Sequence, residues 1–93
     1  MLRIDKPTVV AETVSLLSLA RDLHQSGQYK AAEALFQQAV TQVETTLGSH
    51  EVFLANILDA YAEFLLSLQR VAEAASIRER SIQIREQAKP AVI

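Results

Sequence analysis

Cysteine is absent from the 93 residues, which excludes disulfides and thiolate metal sites. Glycine and proline occur only twice each. Breakers that scarce leave few turns, whereas all-β folds need many. Aromatics make up 5% of the chain. Positive charge is not in excess: the formal net charge is −2, and the densest basic cluster is Arg78 and Arg80 around Glu79. That is no footprint for nucleic acid. No apolar run approaches the ~20 residues needed to cross a bilayer. The opening Met1-Leu2-Arg3-Ile4-Asp5-Lys6 has no apolar core of signal-peptide length. The chain is therefore expected to be soluble and cytoplasmic, with no nucleic-acid or membrane partner.

What is present favours helix. Hydrophobic residues form 49% and charged residues 22% of the chain, the balance of a globular sequence. Alanine, leucine, glutamate and glutamine are plentiful, all good helix formers. Pro7 suits a first helical turn, and Gly27 ends that helix in a left-handed cap. The spacing predicts a second helix over 28–47, with an apolar stripe of Ala32, Leu35, Phe36, Ala39, Val40 and Val43, closed by Gly48. Ser49 is the expected N-cap of a third helix ending near Ser67, with Glu51 in its first turn. A fourth helix is predicted from about Arg70 to Ala88, stopping before Pro90.

The halves repeat. Sliding the sequence by 42 residues, the step from Ala32 to Ala74, places Leu16 on Leu58, Ala20 on Ala62 and Leu23 on Leu65. The same step places Leu35 on Ile77 and Val40 on Ile82. The alanines at 20, 32, 62 and 74 are expected where antiparallel helices cross closely. Helix pairs repeating at a fixed step are the signature of a solenoid.

Leu19 through Val40 resembles the tetratricopeptide repeat: the Leu19-Ala20 pair, the Gly27-Gln28-Tyr29 turn, Ala32, the aromatic Phe36 and the small Ala39 follow its pattern. The longer step, the Thr46-Leu47-Gly48 turn and the Ile82–Glu86 ending are similar to the kinesin-light-chain subclass. In the second half Gln69 replaces the turn glycine, Val71 the tyrosine, Arg78 the aromatic and Ser81 the alanine. Polar Arg78 and Ser81 read as the solvated outer side of a terminal repeat, or as drift. The resemblance implies an all-α fold of two helix-turn-helix repeats in a short right-handed solenoid. The expected organisation is one domain over 1–93, with repeat 1 at about 8–48, repeat 2 at about 49–88 and a flexible tail at 89–93.

The resemblance also implies a binding function. First helices of such pairs line a groove, here Val14, Leu17, Ser18, Arg21 and Gln25, then Asn56, Asp59, Ala60, Glu63 and Ser67. Each set falls on one helical face, as a plain solvated face also would. The second set is acidic, suiting a protein or peptide partner with some basic character. The subclass often carries peptide-gripping asparagines where this chain has Leu17-Ser18 and Asp59-Ala60, so cargo binding is not carried over. Arg21 and Glu63 occupy equivalent positions and are expected to form an ion pair.

Catalysis finds no support in the residues. His24 and His50 lie on different helices, and Asp59 and Glu63 form a solvated strip. No phosphate loop, nucleophile elbow or zinc motif occurs, and no cofactor is expected. The alternative function is structural self-association. The third helix carries apolar residues around much of its circumference, with Phe53, Phe64, Leu66 and Leu68 outside the expected stripe. Either a second copy covers them in a homodimer, or the lengthened second and fourth helices do so within one chain.

Overall fold

A computed structural model describes residues 5–88. It contains helices α1 (Lys6–Gln25), α2 (Tyr29–Thr46), α3 (Val52–Ser67) and α4 (Val71–Ala88), and no strand among the described residues. The expected tail at 89–93 lies outside them.

The helix ends follow from particular residues. Asp5 caps α1, its carboxylate accepting the Thr8 N–H at 2.9 Å, and Pro7 sits in the first turn. That hydrogen bond holds the Asp5 carboxyl below its ordinary pKa. Ser49 is not the cap of α3. The helix begins later, with extended Glu51 at the N-cap and no side-chain cap bond. Lys6, reaching Glu51 at 2.7 Å, ties the starts of α1 and α3 together instead.

Both hairpin turns close alike. Gln28 N–H donates to the Leu23 carbonyl at 2.8 Å, and Arg70 N–H to that of Leu65 at 2.9 Å. Each turn needs one left-handed residue. Gly27 supplies it at φ +84° in the first, but Gln69 adopts φ 63° in the second. A side chain there carries a steric cost that glycine avoids.

Helix α1 packs on α2, α3 packs on both α2 and α4, and α1 touches α3 along a narrower seam. The result is a slab with extents of 45 × 39 × 15 Å. Its core has two joined parts. One centres on Val9, Val43, Leu54, Ile57, Leu58 and Ile84. The other centres on Phe36, Tyr61, Phe64 and Leu65 with the four alanines, each of which is 2% exposed or less. Small side chains at 20, 32, 62 and 74 let the hairpins close tightly. Buried Thr13 satisfies its hydroxyl on the Val9 carbonyl at 2.7 Å, and no described buried side-chain polar atom lacks a partner.

Candidate protein-binding face

Helices α1 and α3 run side by side. At their far ends His24 Nε2 lies 2.8 Å from Ser67 Oγ, whose own proton goes to the Phe64 carbonyl at 2.6 Å. His24 therefore donates through Nε2. With Lys6–Glu51 at the near ends, the two helices are tied at both extremities.

Of the ten residues expected on the groove, Val14, Ser18, Arg21, Gln25, Asn56, Glu63 and Ser67 are exposed, and Leu17, Asp59 and Ala60 are half-buried. Val14, at 51% exposure, is a large apolar side chain left open. Leu17 and Ala60 pack inward and form the floor.

Asn56 and Asp59 are not free. Arg85 of α4 donates through Nη1 to Asp59 Oδ2 at 2.6 Å and through Nη2 to Asn56 Oδ1 at 2.8 Å. Ser81 gives its proton to Asp59 Oδ1 at 2.6 Å and accepts from Arg85 Nη1 at 2.6 Å. Ser81 is thus fully buried at the α3–α4 joint, not on a solvated outer side. The reading of 78 and 81 as one polar face holds only for Arg78, which is exposed. The joint neutralises much of the expected acidic strip and leaves Glu63 as its open carboxylate.

The Arg21–Glu63 ion pair does not form. The ion pairs among the described residues are Lys6–Glu51, Arg70–Glu33, Arg70–Glu73, Arg80–Glu44 and Arg85–Asp59. Arg21 and Glu63 stay exposed because α1 and α3 meet along a narrow seam, so the two side chains gain more from water than from each other.

The candidate self-association residues separate. Phe64 is 2% exposed. It sits between Phe36 and His24, with ring centroids 5.0 Å from each, and so cannot face a partner. The helical stripe left open whether a second copy or the chain's own helices cover this residue, and its ring contacts are with α1 and α2 of the same chain. Phe53 and Leu68 are half-buried against the core, which leaves Leu66 as the exposed member.

Sequence reasoning also missed a polar junction on the opposite side. Arg70 donates to both Glu33 oxygens at 2.8 and 2.9 Å, and to Glu73 Oε2 at 2.6 Å. The Arg70 hydrogen bonds hold the Glu33 and Glu73 carboxyls below their ordinary pKa. Glu73 first, then Glu33, raises that of Arg70. Tyr61 donates to Glu33 Oε2 at 2.9 Å, and burial pushes its phenol up. Beside the junction lies a hollow of about 330 Å³ floored by Leu58, Tyr61 and Ile77.

His24 and His50 do not converge: His50 Nδ1 lies 2.8 Å from Gln87 Oε1, at the end of α4. No group of three acidic or histidine side chains among the described residues is placed to hold a metal ion. No described helix is long and apolar enough to cross a membrane.

Two helical hairpins stacked through a shared third helix define a helical-repeat protein. The family model for the tetratricopeptide repeat matches residues 12–87, most of the sequence, and the chain belongs to that family. Neither the curated proteins nor the solved structures give a match. Repeats of this family generally mediate protein–protein interaction, and the family is a non-catalytic one.

Proposed function

We propose that the chain is an adaptor or scaffold module that binds a segment of another protein across α1 and α3. The observation that carries this reading is the accessible strip of Val14, Ser18, Arg21 and Gln25 beside Glu63 and Ser67, on two helices tied at both ends. An open valine beside a floor of Leu17 and Ala60 supplies an apolar anchor. Arg21 and Glu63, free of ion partners among the described residues, supply one charge of each sign. The preferred segment is therefore mixed in charge with an apolar side chain, rather than simply basic. We also propose that the pairs are 42-residue repeats of the kinesin-light-chain kind. The like bonding of Gln28 with Leu23 and of Arg70 with Leu65 supports that step.

Selection from a random peptide library on the immobilised chain tests the face. Enriched peptides are expected to lose at least about tenfold in affinity, ~1.4 kcal/mol, on Val14→Asp or Glu63→Arg. Peptides that bind both variants as tightly as wild type would place the site elsewhere.

A further inference from the structure

The two ends of the slab are halves of the joint that already exists in its middle. In that joint Phe36 of α2 meets Phe64 and Tyr61 of α3, at ring-centroid distances of 5.0 and 5.7 Å. Val40 and Leu58 line one hollow beside it. Moving forward by the 42-residue step proposed above, the receiving residues Phe36 and Val40 become Arg78 and Ile82. Moving back by the same step, the entering residues Leu58, Tyr61 and Phe64 become Leu16, Leu19 and Asp22.

Both translated half-sites are open in part, with Leu16 half-buried against the chain's own core. Leu19 is 50% exposed and Asp22 is exposed on α1. At the other end Ile82 is 44% and Leu66 41% exposed. A hollow of about 190 Å³ lies there, lined by Leu66, Val71, Ala74, Ala75 and Arg78. Each lining residue is one step from His24, Tyr29, Ala32, Glu33 and Phe36. Phe64 fits among those residues, against the His24 and Phe36 rings. The hollow is thus the unfilled counterpart of an occupied socket.

We infer that a second copy of this chain fills it, stacking head to tail with α1 of one copy on α3 and α4 of the next. Charge selects this occupant. Where the internal joint sets Phe36 against Phe64, the joint between copies sets Arg78 against Asp22, opposite charges in an otherwise apolar setting. Leu19 lies over the Arg78 stem, and Leu16 meets Ile82. The new joint is weaker than the internal one, because Glu33 and Arg70, an ion pair inside the chain, become Ala75 and Gln28. Such a contact is heterologous and does not close on itself, so the assembly grows by addition. It uses the ends of the slab, not the α1–α3 strip, so peptide binding and stacking fail independently.

Sedimentation of the whole chain from about 10 µM to about 1 mM tests it, a span matched to weak association. The expected mass rises continuously from 10.3 kDa past that of two copies. Asp22→Lys and Arg78→Glu each weaken association at least about fivefold. An equimolar mixture of the two, or one chain carrying both, restores it. Far-ultraviolet circular dichroism checks that the variants stay folded. A mass fixed at one copy, a mass that levels off at two, single reversals without effect, or a double reversal that fails to restore association would each overturn the stacking.

Discussion

Helices α1 and α3 hold the same place in their hairpins, yet α3 buries eight residues where α1 buries three. The difference lies in their neighbours more than in helix propensity. Helix α3 lies against α2, α4 and the edge of α1, while α1 has only α2 and a narrow seam with α3. Under the 42-residue step proposed above, the side chains record this position by position: Tyr61 and Phe64 on α3 correspond to Leu19 and Asp22 on α1. In a stacked repeat, the composition of a helix reports how many faces are covered as much as which repeat it belongs to.

The sharpest break of that comparison is at its aromatic centre. Phe64→Ala is expected to cost about 3–5 kcal/mol, enough to unfold much of a small domain. Asp22→Ala, at the place on α1 that the proposed 42-residue step matches to Phe64, should stay within ~0.5 kcal/mol. Urea denaturation of both variants measures the contrast, and comparable losses would mean that the difference in cover between α1 and α3 does not set their contributions to stability. A smaller contrast is expected at the crossing alanines. Ala62→Leu should cost about 1–3 kcal/mol by overpacking, with Ala20→Leu at the lower end, since α1 is free to shift on its open flank. Equal melting temperatures for the two variants would remove that flank effect.

The smallest expected effect is a gain. Gln69→Gly relieves a left-handed side chain and should stabilise the protein by about 0.5–1 kcal/mol, whereas Gly27→Ala should lose about as much. A lower urea midpoint for Gln69→Gly would show that the glutamine contributes contacts outweighing its strain.

Much of the fold was legible because it depends on local pattern. The four helices follow apolar spacing and scarce breakers, and the four buried alanines follow the self-similarity. The site was less legible wherever the answer lay across a helix interface. Phe64 lay outside the expected α3 stripe, and apolar spacing on one helix could not tell cover by a second copy from cover by neighbouring helices of the same chain. Ser81 looked solvated because nothing near it in sequence announces Asp59 as its acceptor, 22 residues away. The Glu33–Arg70 junction spans 37 residues and depends on how two hairpins stack. The Arg21–Glu63 expectation failed for the opposite reason, since equivalent sequence positions do not fix the distance between two exposed ends. Ser49 shows a local limit too: a good capping residue does nothing when the helix begins three residues later.

The thinness of the slab bears on how fast the chain finds its structure. At 15 Å across, it has no deep interior to which distant segments must be brought together. Helix α1 meets α2 and α3 meets α4 across turns of three residues, so most closures join chain neighbours at little entropic cost. Such low contact order belongs to proteins that fold in roughly microseconds to milliseconds. Either hairpin is a place to begin, and α3 settling onto α2 completes the whole.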